Sequence, residues 1–357
     1  MKSNKKITRV KPIQPKNTDF YRAFEDRHRG SRELILSRLQ VYLPFIMPLA
    51  TPYEDLGALD LGCGRGEWLE LIKHNGFKAK GIDLDSGMLS ACRELKLDVY
   101  QGDALNYLRG VATESLTVVS AFHLVEHISF DTLRELVEQA HRALKPGGLL
   151  ILETPNSENL MVGTSSFYLD PTHQRPLPAQ LLSFVVEYTG FGRVSTLYLQ
   201  ESPDLATAQK TTLINVLNGV SPDYAVVAQK NAPADILALF DTPFNRSYGI
   251  RLDSLASSYD QQVELRVAQV EEKTQLNADK LENEFNSITQ HIEILSKNIR
   301  QLEIELVAER QKAESLVAQL QALYTSHSWR ITKPFRLIAI AVYSCGDLVA
   351  NLFKGKK

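Results

Sequence analysis

The stretch ALDLGCGRGEW, Ala58 to Trp68, reads as an apolar strand running into a glycine loop and then a helix. Its spacing is Asp60-x-Gly62-x-Gly64-x-Gly66. A dinucleotide fingerprint would read GxGxxG, with its third glycine one residue later. Alternating glycines let the backbone turn tightly and approach a ligand without Cβ clashes, and the helix that follows presents its first amides to that ligand. KGIDLD places Asp83 at the end of the next strand, about twenty residues on, where a carboxylate can accept both hydroxyls of a ribose. YQGDALNYL places Asp103 after a third strand, with Ala104 beside it. SLTVVSAFHLVEHI and LKPGGLLILETPN add two more strands at matching separation.

This ordered set resembles the class I S-adenosylmethionine-dependent methyltransferases over about residues 55–230. The resemblance implies that Gly62, Gly64 and Gly66 line the methionine portion of S-adenosyl-L-methionine, with Asp60 supporting the loop. Asp83 would bind the ribose, while Asp103 and the backbone at Ala104 would read the adenine. Phe122 and His123, ending the fourth strand, would close over the cofactor. GFGRVSTLYLQE and SPDYAVVAQK look like the family's last two strands, the final one antiparallel.

Methyl transfer is an in-line displacement from a sulfonium, so alignment dominates, and an alcohol acceptor also needs a base for its proton. FHLVEHI offers His123, Glu126 and His127 just past the fourth strand, and His127 is the candidate base with Glu126 beside it. FYLDPTHQRPLP follows the fifth strand, where these enzymes build the acceptor pocket, which makes Tyr168, His173 and Arg175 candidate substrate contacts. Arg22, Arg27, Arg29 and Arg32 cluster ahead of the sheet, and Arg29 is a candidate for an anionic group of cofactor or acceptor. His123, His127 and His173, with Asp170, invite a metal reading. Without a clear third ligand beside two histidines, no metal is expected.

The elements that must hold these residues follow from texture. Short β-rich apolar runs alternate with helical patterns from 58 to 230, which predicts βαβ units and a parallel sheet covered by helices. The fold class expected is α/β, a Rossmann-like seven-stranded class I methyltransferase sheet, followed by a long coiled-coil helix and a C-terminal amphipathic helix. The domain order is a basic disordered tail at 1–17, a helical cap at 18–57, the methyltransferase domain at 58–230, a linker at 231–251, a coiled coil at 252–325 and a docking segment at 326–357. Between Gly249 and Pro334 there is neither glycine nor proline. Leu281, Phe285, Ile288, Ile292, Leu295, Ile299, Leu302 and Leu306 recur at alternating spacings of four and three, and after a break at Glu309 and Ala313 the register continues through Leu316, Leu320 and Leu323. Such a seam specifies a left-handed coiled coil and hence a homo-oligomer, dimer or trimer.

Composition sets the bounds. Of 357 residues, 44% are hydrophobic and 23% charged, which excludes wholesale disorder. A net charge of −2 gives no global pull toward nucleic acid, and none is expected as a partner. Three scattered cysteines with no CxxC pair fit a reducing cytosol and exclude a disulfide framework. No stretch is expected to have the ~18–20 apolar residues of a spanning helix.

SHSWRITKPFR, Ser326 to Arg336, precedes a helix apolar on one face through Leu337, Ile338, Ala341, Val342, Cys345, Leu348, Val349, Leu352 and Phe353, with Lys354, Lys356 and Lys357 behind it. That pattern suits a membrane interface or a protein partner. SWRITKPFR resembles an element of bacterial surface-polysaccharide glycosyltransferases and methyltransferases. The whole layout resembles the O-antigen chain-terminating methyltransferases, without the kinase domain that best-known members carry. That resemblance implies O-methylation of a sugar hydroxyl at the non-reducing end of a lipid-linked glycan. The coil would act as spacer, and the chain would sit on the cytoplasmic face of the inner membrane, docked on its surface or on a polysaccharide glycosyltransferase. A small-molecule or internal-sugar methyltransferase and an inactive coiled-coil scaffold are the alternatives.

Overall fold

The computed structural model describes residues 30–206 and 210–342. Arg29, the basic segment 1–17 and the part of the C-terminal apolar face beyond Val342 lie outside them. The chain divides into two units, Met1–Arg266 and Val267–Lys357.

The first unit is built on a sheet of seven strands: β1 Gly57–Leu61, β2 Lys78–Asp83, β3 Asp98–Gln101, β4 Leu116–Phe122, β5 Leu144–Pro155, β6 Arg193–Leu199 and β7 Asp223–Gln229. Their order is β3-β2-β1-β4-β5-β7-β6. The first five strands pair in parallel, and β7 runs antiparallel to both β5 and β6. Six helices recur between and beside them: α1 Arg32–Leu39, α2 Glu67–His74, α3 Ser86–Glu94, α4 Ala104–Arg109, α5 Phe130–Ala143 and α6 Ala179–Thr189. Shorter helical turns are named below by residue.

Successive side chains of a strand point to opposite faces, so a strand covered on both sides must be apolar at every position. Along β4 and β5, Val119, Leu150 and Leu152 join one core with Leu133, Leu136 and Leu182, while Val118, Leu149 and Ile151 join the other with Tyr42, Phe45, Ile46 and Leu49. Each fully buried Leu, Ile or Val contributes roughly 1.5–3 kcal/mol, which explains why these runs show no polar alternation. The second core corrects one expectation. Helical residues Arg32–Ala50 are apolar and long enough to cross a membrane, but Tyr42, Phe45, Ile46 and Leu49 are fully buried against the sheet, which accounts for that apolarity.

The segment 231–251, expected as a linker, packs on the domain instead. Pro233 caps the short helix Ala234–Ala238, and Pro243 lies in the single turn Asp241–Phe244. Proline is compatible with the first turn of a helix, so neither breaks the chain path. Phe240 is fully buried, and Ser221 and Ile250 exchange hydrogen bonds at 3.0 and 2.9 Å.

A single helix, α7 Leu252–Thr325, runs 74 residues. Every seam residue from Leu281 to Leu323 is more than half exposed, so within the described residues of one chain the seam packs on nothing. The helix passes Glu309 and Ala313 without interruption. It stops where Ser326 turns extended at ψ 148° and caps the turn His327–Ile331 through Trp329 N–H, 3.2 Å away. The Trp329 ring meets Tyr324 edge-on and carries the Arg336 guanidinium at 3.4 Å. Residues 333–342 are helical.

Candidate active site

A cavity of about 630 Å³ opens at the C-terminal ends of the parallel strands, where open α/β sheets bind ligands. Gly62 and Gly64, both in its wall, sit at φ +71° and +52°. A Cβ at Gly62 would lie 3.2 Å from Leu124. The Gly64 N–H donates to Asp83 Oδ2 at 2.9 Å and the Asp85 N–H to Oδ1 at 2.8 Å. Asp83 is therefore fixed from both sides at the end of β2. Asp60 is buried and accepts from Ser120 Oγ at 2.7 Å. Asp103 caps α4 by accepting from Asn106 N–H, and with Ala104 it lines the cavity.

Gly66 does not line the cavity. It caps α2 at φ +78°, and a Cβ there would meet Leu97 at 2.7 Å and Cys92 Sγ at 2.8 Å. Packing, rather than a ligand, requires this glycine. Leu84 and Arg38 are among the wall residues that the sequence analysis does not single out. Leu84, between Asp83 and Asp85, is 70% exposed and gives that end of the cavity an apolar surface for a flat ring. Arg38, on α1, brings a guanidinium to the wall. Arg32, from the cluster singled out in sequence, instead pairs with Glu70 and donates to the Arg65 carbonyl at 2.9 Å.

Phe122 lies in the wall and packs on Tyr42 and Trp68. His123, expected as a cover, is the hub of an acidic floor. At φ +53° its ring sits with Nδ1 3.3 Å from Glu126 Oε1 and Nε2 3.5 Å from Glu153 Oε1. Asp223 completes that group. Tyr42 OH donates to Glu153 Oε2, and Gln200 Nε2 to Oε1 at 2.9 Å. Burial opposes a charge on His123, but the carboxylates of Glu126 and Glu153 outweigh it and hold the imidazole well above its usual range. Burial lifts the Asp223 carboxyl to about 7, against the pull of His123.

The acceptor end is assembled from side chains. His127 and His173 both line the cavity, with ring centroids 4.6 Å apart. Thr172 Oγ1 donates its proton to Asp170 Oδ1 at 2.6 Å and lies 2.8 Å from His127 Nδ1. With its only proton committed, the hydroxyl accepts from Nδ1–H, which leaves His127 Nε2 as a bare lone pair. His173 Nδ1 donates to the Phe167 carbonyl at 2.6 Å, so in the neutral ring Nε2 is bare as well. That Nε2 is 4.0 Å from both Glu126 Oε1 and Asp170 Oδ2. Burial pushes His127 below the usual histidine range, and the neighbouring His173 adds to the shift.

Glu126 lies behind the cavity wall, 1% exposed, with Thr154 Oγ1 donating to its Oε2 at 2.9 Å. Tyr168 is 62% exposed and packs on Phe167 outside the wall, which Ser166, Leu169 and Asp170 supply instead. Arg175 lies over the Phe130 ring at 4.8 Å, also outside the wall. Gln174, not singled out in sequence, clasps the loop in place. Its N–H donates to the Glu126 carbonyl at 2.9 Å and its Nε2 to the His127 carbonyl at 2.8 Å.

Over residues 36–195 the chain matches the family model of a methyltransferase domain. A solved structure of a SAM-dependent methyltransferase from Archaeoglobus fulgidus is 33% identical, the match covering 59% of this chain and 100% of that one at a TM-score of 0.53. A probable S-adenosylmethionine-dependent methyltransferase of Mycolicibacterium smegmatis is 29% identical over 150 residues, 42% of this chain and 56% of that protein. A ubiquinone biosynthesis O-methyltransferase of Chelativorans sp. is 29% identical over 113 residues, 30% of this chain and 43% of that protein. The chain spans about half the length of these curated relatives. It belongs to the S-adenosylmethionine-dependent methyltransferases, and S-adenosyl-L-methionine is its cofactor. The site fits that group, because Gly62 and Gly64 leave a backbone cradle with no Cβ and the cavity falls in the usual range for such ligands.

Proposed function

We propose that this methyltransferase acts on oxygen, a sugar hydroxyl at the non-reducing end of a membrane-linked bacterial surface polysaccharide, where the methyl group caps the chain. The observation that carries the oxygen assignment is the pair of bare Nε2 atoms of His127 and His173 in the same cavity as the Gly62–Gly64 cradle. Relatives named as O-methyltransferases support it. When bound, S-adenosylmethionine supplies the methyl as an electrophilic carbon on a sulfonium.

The residues divide the remaining work. Gly62 and Gly64 admit the cofactor backbone-close, Asp83 takes the ribose hydroxyls, and Asp103 with Ala104 and Leu84 frames the adenine. His127 Nε2 receives the acceptor hydroxyl's proton, and Glu126 behind it favours the imidazolium that results. The polysaccharide assignment rests on layout: a methyltransferase unit, a helix of 74 residues with an exposed heptad seam, and the SWRITKPFR segment. In this reading α7 pairs with other copies of itself and acts as a spacer of roughly 110 Å at 1.5 Å per residue. The C-terminal segment docks on the cytoplasmic face of the inner membrane or on a polysaccharide glycosyltransferase.

The test is transfer of labelled methyl from S-adenosylmethionine to lipid-linked glycan in membranes of the native host, comparing the full chain with one ending at Arg266. Label at the non-reducing terminus, with transfer or length control impaired in the shorter chain, is expected. Cofactor binding without glycan labelling by either version would remove the polysaccharide reading.

A further inference from the structure

We infer that Glu126, His127 and His173 form a binding site for one divalent first-row transition-metal ion at the acceptor end of the cavity. One ligand atom from each lies within 4.8 Å of the others. In sequence the third ligand was missing, because Glu126 and His127 are neighbours while His173 lies on another loop. The fold supplies the juxtaposition by clasping Gln174 onto the backbone of Glu126 and His127.

Two observations point to a cation. Both imidazoles are locked with Nδ1–H turned away, to Thr172 and to the Phe167 carbonyl, so each offers a bare Nε2. That outer hydrogen bond is the arrangement that orients metal-ligating histidines. Second, Glu126 Oε1 is buried and makes no aligned hydrogen bond among the described residues, although the His123 ring lies beside it with Nδ1 at 3.3 Å.

The donor set decides the class of ion. Two imidazoles and one or two carboxylates suit zinc, manganese, iron or cobalt rather than magnesium or calcium, which prefer oxygen alone. Metal bonds of about 2.0–2.2 Å place adjacent ligands about 3–3.4 Å apart. The His173–Glu126 pair at 4.0 Å therefore closes by about 1 Å or less.

The role of the ion rests on the oxygen-acceptor reading above; its binding does not. An acceptor hydroxyl bound to the ion loses its O–H bond more readily, the proton passing to solvent and the oxygen keeping the electron pair. The metal then replaces His127 as the means of deprotonation.

The full-length protein, stripped with chelator and dialysed, is titrated with Co²⁺ followed by visible absorption and then with competing Zn²⁺. One ion per chain with a micromolar dissociation constant is expected. The variants H127Q and H173Q are expected to bind at least ~10–100-fold more weakly, while S-adenosylmethionine affinity, measured by calorimetry, shows them folded. T172V, which frees the His127 ring, gives a smaller loss without touching a ligand. No Co²⁺ or Zn²⁺ bound by the parent protein at up to about 0.1 mM free ion, or equal affinity in H127Q and H173Q, overturns the site. If the ion is absent and methyl transfer ignores chelator, the imidazole-base reading survives alone. If the ion binds but no oxygen acceptor is ever methylated, the site stands and the oxygen reading falls.

Discussion

The two ends of the cavity are made differently. At the ends of β1 to β3 the wall is backbone: glycines at positive φ, amides fixing Asp83, and Asp103 capping a helix. At the ends of β4 and β5 it is side chains: His127 and His173 from separate loops, over Glu126 and beside the hub at His123. A ligand held by turn geometry imprints a short local pattern on the sequence. A proton- or metal-handling cluster drawn from distant loops imprints only residue types.

The largest expected effect probes whether the ends are separable. H127A should lower the methyl-transfer rate by about 10²–10⁴-fold while calorimetry shows cofactor affinity changed less than about twofold. A collapse of cofactor affinity in that variant would mean the two ends act as one. D83A is the converse. Losing a charge-assisted interaction worth about 1.5–3 kcal/mol in all should weaken cofactor binding about ten- to hundredfold, leaving turnover at saturating cofactor far less affected than in H127A.

Within the glycine loop itself the contrast sharpens. G66A places a Cβ 2.7 Å from Leu97 at a φ of +78°, so urea denaturation should show a loss of about 1–3 kcal/mol with cofactor affinity retained. A selective loss of affinity would return Gly66 to the cofactor's wall. The smallest effect concerns the acidic floor. Asp223 is raised from 3.8 to about 7, so over that interval the folded chain holds a proton the unfolded chain has released. Its contribution to stability is full below about pH 4 and is lost as pH rises through about 7. D223N should therefore flatten the fall of the urea midpoint across that window relative to the parent protein.

The fold was legible because its signals are local and repeat. Apolar runs at regular separation, glycine turns and an unbroken heptad seam each reflect a physical period. Gly66 was misassigned because its reason, Leu97 and Cys92, comes from a later helix and turn. The segment 231–251 was misread because Pro233 and Pro243 look alike whether they break a chain or start a helix, and only the burial of Phe240 decides. His127 and Glu126 were visible as a pair of reactive types. That one lies in the wall and the other behind it depends on the turn Val125–His127, which no spacing rule specifies.

The position of β7 has a consequence for how the chain becomes an enzyme. β6 pairs with β7 and with no other described strand, yet it leaves the ribosome first. Until Asp223–Gln229 emerges, β5 presents an open edge and β6 waits without a partner. The same late strand delivers Asp223 to the cavity floor. Such non-local pairing slows assembly. A nascent or prematurely ended chain therefore carries the glycine loop long before it can hold a finished pocket, and the capacity to transfer a methyl group arrives with the last strand.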